Sequence, residues 1–196
     1  MKKQIATAYI CILSITAFAQ QTNFNTFNKE REKITKTGIK VLAGYSVANI
    51  IYGSIAAGQA TGSNKYFHEM NAIWNGITLG ITSIGFLTAK KEGTLSYGES
   101  LKKQQRIEKL FLFNAGLDVA YIAGGAYLKE RAKTTIKNPL RLKGYGESIM
   151  LQGGVLLLFD GLMYAIHNSH GKALAKMGEK VQLGATANGI GFIVKL

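Results

Sequence analysis

The amino-acid sequence predicts an all-α, polytopic membrane protein: a four-helix bundle built from two repeated helical hairpins, with a short C-terminal β-hairpin-like tail. Four stretches, at about 39–59, 69–88, 110–128 and 148–167, come close to the roughly 20 apolar residues that a helix needs to cross a bilayer. These stretches are rich in Gly, and Lys and Arg cluster between them. Matching sequence patterns link the first stretch to the third and the second to the fourth. A soluble four-helix domain is the alternative.

The composition narrows the class of protein. Of 196 residues, 47% are hydrophobic and 18% are charged, which is typical neither of a disordered chain nor of a disulfide scaffold. The only cysteine, Cys11, lies in the N-terminal segment, so the rest of the chain offers no disulfide and no thiolate nucleophile. The net charge is +13, but no nucleic-acid-binding signature accompanies it. We therefore expect the basic clusters to contact anionic lipid head groups, and no nucleic acid.

Residues 1–19 are predicted to form a secretory signal peptide. Two lysines precede an apolar run, and Ala17-Phe18-Ala19 fits the small-x-small cleavage pattern, with cleavage before Gln20. The alternative is an uncleaved anchor helix, although the run is short for a full span. An exported protein with apolar spans would lie in a membrane of the bacterial cell envelope, where we expect the inner membrane.

The mature chain divides into three predicted regions. Residues 20–37 form a polar amphipathic lead-in, 38–171 form the four-helix membrane domain, and 172–196 form the tail. In the tail, Asn188-Gly189 is a type I′ turn signal between two short runs suited to strands.

Charged residues mark the predicted helix ends. Ser96 followed by Glu99 has the spacing of a capping box, which predicts a polar helix running directly into the third span. Glu69 and Glu147 stand at the starts of the second and fourth spans, where a carboxylate suits the helix dipole.

An internal repeat relates the two halves of the membrane domain. The first span contains G44-x-x-V-A-x-I-x-x-G53, and the third contains the same pattern, shifted by 72, from Gly116 to Gly125. The second and fourth spans share an aromatic-x-E-x6-G pattern, shifted by 78. Because each unit has two spans, the two copies would keep the same orientation.

Polar side chains at the centre of each span form the candidate site. Asp118 and Asp160 lie near mid-depth in adjacent spans, so both carboxyl groups are expected at nearly one level. An ionised carboxylate there costs about 2.5–3.5 kcal/mol, and no Lys or Arg lies in a span core. The pair would therefore keep at least one proton, and it could pass protons or bind a cation. The alternative is that the two acids form hydrogen bonds to polar groups of neighbouring helices and so hold the helices together. The whole candidate layer is Asn49, Asn75, Thr78, Asn114, Asp118, Gln152 and Asp160.

Two further sets of residues are candidates for packing and for metal binding. Small residues allow membrane helices to approach closely, and the predicted packing glycines are Gly44, Gly53, Gly116, Gly125, Gly153 and Gly154. His167 and His170 are weak metal candidates, because two ligands at this spacing need others from elsewhere. No catalytic motif or cofactor fingerprint is present, so no catalytic residue and no cofactor is predicted.

Four motifs carry a resemblance: "KYFHEMNAIWN", "LFNAGLDVAYIAGG", "RLKGYGESIMLQGG" and "NGIGFIVKL". Together they resemble a family of uncharacterised small proteins from Gram-negative bacteria, over most of the chain after about Gly38. The resemblance implies a signal peptide and four Gly-rich membrane helices. It implies no catalytic residues.

The function expected from these observations is that of a non-enzymatic structural or interaction module in a membrane, with itself or a membrane protein as partner. A small proton- or cation-coupled carrier or channel using Asp118 and Asp160 is the alternative, and a membrane-embedded enzyme is the third possibility. The orientation stays open. A cleaved signal peptide puts fifteen Lys and Arg residues outside and seven inside, which opposes the positive-inside rule, so one premise fails.

Overall fold

The computed structural model describes the backbone of residues 2–88, 94–179, 181–186 and 189–194, and the side chains of residues 24–87 and 94–178. Within these ranges the chain forms four helices, which confirms the predicted all-helical architecture. They are α1 (Lys2–Gln59), α2 (Gly62–Thr88), α3 (Tyr97–Arg131) and α4 (Pro139–Glu179).

Two short strands follow α4. The backbone of β1 (Val181–Thr186) pairs antiparallel with that of β2 (Gly189–Val194), with Val181 opposite Val194 and Thr186 opposite Gly189.

Three of the described helices are long and apolar enough to cross a membrane: α1 within Phe24–Gln59, α3, and α4 within Pro139–Gly178. In their most apolar windows only 11%, 11% and 22% of the residues are buried inside the protein. Apolar residues therefore cover the outside of these helices, as expected for surfaces that contact lipid. The second helix is not among these three. It is 27 residues long, but its sequence includes the polar residues Asn71 and Asn75.

The helix starts agree with the sequence at one place and differ at two. The capping box before α3 is confirmed: Ser96 N and Oγ lie 2.9 and 2.8 Å from Glu99 Oε2, and Glu99 N lies 3.4 Å from Ser96 Oγ. The predicted helix-start roles of Glu69 and Glu147 are wrong, because both lie inside longer helices. They form ion pairs instead, Glu69 with Lys65 at 3.9 Å and Glu147 with Lys129 at 3.4 Å.

Backbone geometry explains where α2 and α4 begin. Gly62 adopts a left-handed φ of 63°, which turns the chain after α1, and a residue without a Cβ adopts it at low cost. Asn138 has a φ of 54° and precedes Pro139, whose fixed φ and missing N–H suit the first position of a helix.

The chain forms two compact units. The central unit comprises Thr35–Lys90 and Glu108–Ala165, and the terminal unit comprises Met1–Ile34, Lys91–Ile107 and Ile166–Leu196.

Glycines bring helix backbones into contact within the central unit. A Cβ on Gly53 of α1 would lie 2.9 Å from His68 O and 3.1 Å from Ala72 N of α2. A Cβ on Gly125 of α3 would lie 2.6 Å from Gly146 O and 2.8 Å from Met150 N of α4. Neither position therefore accepts a larger residue without a shift of the helices. Close approach of this kind is how membrane helices pack without large side chains.

The other predicted packing glycines divide into two groups. Gly153 packs closely, since its Cβ would lie 2.9 Å from Asp118 O. At Gly44, Gly116 and Gly154 a Cβ would meet no atom of the described residues within 4 Å, so these three bring no helices of the chain together, and a packing role for them stays a prediction. Gly44 and Gly116 share one repeat pattern and Gly154 belongs to the other, but in the described part of the chain all three have open space where a side chain would begin.

The terminal unit has a small core of its own. Phe24, Phe27 and Leu174 are buried, and Tyr97, Leu101 and Met177 pack around them. Beside this core Asn28 Nδ2 donates to Ser100 Oγ at 2.9 Å, and Arg31 Nη1 donates to Ser100 O at 3.0 Å. Polar side chains thus hold α1 and α3 together where the core is thin.

Candidate functional site

An amide network joins α1, α2 and α4 in the central unit. Asn71 Nδ2 donates to Asn49 Oδ1 at 3.2 Å. Asn75 Nδ2 lies 3.2 Å from Asn71 Oδ1 and 3.3 Å from Gln152 Oε1. Gln152 in turn donates to Asn71 Oδ1 and accepts from the Tyr45 hydroxyl at 3.1 Å. Because Asn71, Asn75 and Gln152 are buried, these bonds replace hydration that the side chains have lost.

Two acids form a second polar cluster. Asp118 on α3 and Asp160 on α4 are neighbours whose carboxyl groups interact, and Asn114 lies beside Asp160. The acids are 2% and 6% exposed. Two neighbouring ionised carboxylates repel each other, and burial adds to the cost of each charge, so the pair favours a state with at most one negative charge. Within the described side chains, Asp118 Oδ2 is buried and has no hydrogen-bond partner.

The acid pair lies on the wall of a cavity of about 580 Å³ inside the central unit. Most of the wall is apolar, with contributions from Ile39, Leu42, Phe111, Leu156 and Phe159. An apolar cavity with a few convergent polar groups has the general character of a small-molecule site.

Aromatic and hydroxyl side chains complete the cavity wall. Trp74 and Tyr121 pack edge to face there, with ring centroids 4.8 Å apart. The hydroxyls of Thr78 and Thr82 lie 3.1 and 3.0 Å from the Trp74 and Thr78 carbonyls of their own helix. The threonines are therefore satisfied locally, and the acid pair with Asn114 is the polar end of the cavity.

The predicted layer falls into two separate groups. Asn49, Asn75 and Gln152 belong to the amide network. Thr78, Asn114, Asp118 and Asp160 line the cavity. The sequence prediction omitted Asn71, which contacts three members of the network. The sequence does contain a signal for Asn71, because Asn71 and Asn75 are four residues apart and so share a helix face.

The two metal candidates, His167 and His170, lie in the terminal unit and serve its packing. The His170 ring stacks on Phe27 with centroids 4.1 Å apart, and its Nε2 lies 3.1 Å from Phe27 O. The His167 carbonyl accepts from Gln104 Nε2 at 2.6 Å. Within the described residues no group of three His, Cys, Asp or Glu side chains is placed to hold a metal ion. The stacked ring explains His170 without a metal.

Comparison with known proteins gives a family. The model of the family of unknown function DUF6992 matches residues 41–161, which is more than half of the chain and includes both polar clusters. No curated protein and no solved structure matches the chain. The resemblance to an uncharacterised family is thereby confirmed, whereas Gram-negative origin and the signal peptide stay predictions. The chain belongs to the DUF6992 family of unknown function.

Proposed function

We propose that this protein is a non-enzymatic structural or interaction module of a cell-envelope membrane, reached by export through its signal peptide. All four helices cross the bilayer in this proposal, and the basic clusters between them face anionic head groups. The observation that carries it is the amide network. Tyr45, Asn49, Asn71, Asn75 and Gln152 bond to each other across three helices, so these polar groups serve helix association.

The amide network also explains how α2, with its polar residues, can lie in a membrane. A helix with two buried asparagines is a poor partner for lipid alone, but its amides are bonded to α1 and α4. A polar helix held in this way can cross a bilayer, because its polar groups are satisfied within the protein.

Two repeated hairpins are part of the proposal. Gly53 meets the second helix at residues 68 and 72, and Gly125 meets the fourth at residues 146 and 150. The sequence offset of 72 relates the two glycines, and the offset of 78 relates both pairs of contacted residues. The same contact in both hairpins supports duplication of one ancestral unit.

Reporter fusions test the membrane arrangement. Fusions in the connection 89–96, between α2 and α3, and in the connection 132–138, between α3 and α4, should report opposite sides of the membrane if α3 crosses it. A fusion after Thr61 should report the side of the 132–138 connection if α2 and α3 both cross. Identical sides for the 89–96 and 132–138 fusions would refute the four-span arrangement.

Co-purification of two differently tagged copies tests the module. Self-association in detergent should survive the change Asp118→Asn with Asp160→Asn, because both acids are buried within one copy, at 2% and 6% exposure, and do not reach a second copy. Strictly monomeric protein that also captures no membrane partner after crosslinking in cells would count against an interaction module.

A small proton- or cation-coupled carrier is the second candidate, and a specific observation favours it. Asp118 and Asp160 stand apart from the amide network and line a cavity. In the repeat they correspond to Ser46 and Thr82, whose hydroxyls bond to carbonyls of their own helices at 2.9 and 3.0 Å. Packing at these positions therefore does not require acids. Liposome flux that disappears in the folded Asp118→Asn, Asp160→Asn variant supports a carrier, and absence of flux in both proteins excludes it.

A further inference from the structure

We propose that the cavity of the central unit binds a lipid-soluble organic cation, with its ammonium group on the Asp118–Asp160 pair and its apolar body along the cavity wall. The inference rests on the proposed membrane arrangement, but it does not require transport. Four observations carry it: the charge of the cavity, an unsatisfied oxygen, the chemistry of the walls and the position of the mouth.

The cavity has acids and no basic side chain. Among the side chains that line it, Asp118 and Asp160 are the ionisable acids, and Lys, Arg and His are absent. When the pair holds a single proton it carries one negative charge, in a medium where charge is costly unless it is paired. Within the described residues the protein places no cation beside this cavity to balance a carboxylate charge. A bound cation would supply that opposite charge.

One acceptor in the site is unsatisfied. Asp118 is 2% exposed, it lines the cavity, and its Oδ2 has no hydrogen-bond partner among the described residues. Buried polar atoms are almost always hydrogen-bonded, so a ligand that donates a hydrogen bond to this oxygen would satisfy it. An ammonium group supplies both the donor and the opposite charge, and bonds of this kind are about twice as strong as neutral ones.

The apolar walls of the cavity favour a ligand with an organic, apolar part. Leu156, Phe159 and Phe111 present hydrocarbon, which would not replace the water shell of a small inorganic cation. Trp74 and Tyr121 add two aromatic rings, and aromatic rings attract ammonium groups. The volume of about 580 Å³ lies in the range of pockets for small organic molecules.

The mouth of the cavity faces the apolar surface of the helices. Ile77 and Ile81 of α2 line the cavity and are also 57% and 66% exposed. Leu117 of α3 is exposed on the same wall. If these helices cross the bilayer, the opening between them meets lipid, so the ligand enters from the hydrocarbon phase and must be soluble there.

Photolabelling with a matched pair of probes tests this inference. The full chain is placed in nanodiscs of phosphatidylcholine and exposed to a benzylamine that carries a diazirine, or to the corresponding benzyl alcohol. The two probes share one apolar body and differ in charge. We expect the amine to label the segments around Ile77 and Leu117 about tenfold more than the alcohol, the ratio expected from one charged hydrogen bond.

Three variants locate the effect. Asp118→Asn with Asp160→Asn should abolish the preference for the amine. Glu147→Gln, which removes a carboxylate of α4 away from the cavity, should leave it unchanged. Leu156→Trp keeps both acids but fills the cavity, and it should reduce labelling by both probes, which covers the case in which the double variant does not fold.

Equal labelling by amine and alcohol in the native protein, or an amine preference that persists in the double variant, overturns the inference. Parallel flux measurements separate it from the carrier candidate. Labelling without flux supports the binding site and removes the carrier, whereas Asp-dependent flux without labelling removes the organic-cation site and leaves the carrier.

Discussion

Asn71 of α2 and Gln152 of α4 are bonded to each other in the interior of the central unit, with the Gln152 amide donating to Asn71 Oδ1. Both side chains are buried, and each also bonds to a side chain of α1, Asn49 and Tyr45 respectively. A contact between two amides thus ties three helices together. In a protein whose helices are covered with apolar residues on the outside, such bonds give the helices their partners and their register.

The first prediction concerns this pair. Asn71→Leu and Gln152→Leu should each lower the free energy of unfolding, because each leaves the other amide buried without its partner. The double variant should lose less than the sum, with a coupling of about 0.5–1.5 kcal/mol, the range seen between membrane helices. Unfolding in mixed detergent micelles, followed by circular dichroism, measures this. Losses that simply add would mean that the two amides are energetically independent.

The second prediction concerns two glycines of α3. Gly125→Ala should cost about 1–3 kcal/mol, because the added Cβ would lie under 3 Å from the backbone of α4. Gly116→Ala is the matched control on the same helix. Its Cβ meets nothing within 4 Å, and alanine favours helix, so stability should hold or rise by up to about 1 kcal/mol. The same unfolding measurement decides, and equal effects at the two sites would contradict the helix contact described for Gly125.

The third prediction concerns the terminal unit. Asn28→Ala removes the donor to Ser100 Oγ within a buried site and should cost about 1 kcal/mol. Faster amide hydrogen exchange in residues 97–107 should report it. Lys29→Ala changes the exposed neighbour and serves as control, with no change expected. Unchanged exchange in the Asn28 variant would show that this bond does not hold α1 to α3.

The fourth prediction concerns pH. Glu99 lies in the polar start of α3, ahead of the predicted span at 110–128, and hydrogen bonds from the backbone N–H and hydroxyl of Ser96 lower its pKa. A pKa lowered by folding means that the contribution is complete above the ordinary glutamate value of about 4.3 and is lost as the pH falls through the lowered value. Exchange at the start of α3 should therefore quicken in acid beyond the intrinsic pH effect.

Glu99→Gln is the matched variant for this prediction. Glutamine can still occupy the third position of a capping box but does not titrate, so the acid dependence at the start of α3 should disappear. Glu130→Gln, at an exposed position near the end of the same helix, should keep it. Persistence of the acid dependence in Glu99→Gln would assign the effect to another group.

Features that depend on neighbours along the chain could be predicted from the sequence. The helical character of the spans follows from composition, and the capping box of Ser96 and Glu99 follows from a spacing of three residues. The helix starts at Glu69 and Glu147 were wrong for a related reason. The helices extend beyond the apolar stretches, and polar turns of helix at Gly62 and Pro139 carry no hydropathy signal.

Features that depend on the rotation of each helix about its axis could not be predicted in the same way. Gly116 and Gly125 belong to one motif, yet only Gly125 meets another backbone. Gln152 and Asp160 were assigned to one layer, yet the first joins the amide network and the second joins Asp118 at the cavity.

The sequence by itself thus determined which segments are helical, how apolar they are, the family, and how far along their helices Asp118 and Asp160 stand, since all of these follow from local composition and a rise of about 1.5 Å per residue. Tertiary structure alone decided which faces meet. It paired Asn71 with Gln152, left Asp118 Oδ2 without a partner among the described residues, and opened a cavity beside it. Contacts between helices far apart in sequence fix those rotations, and no local pattern encodes them.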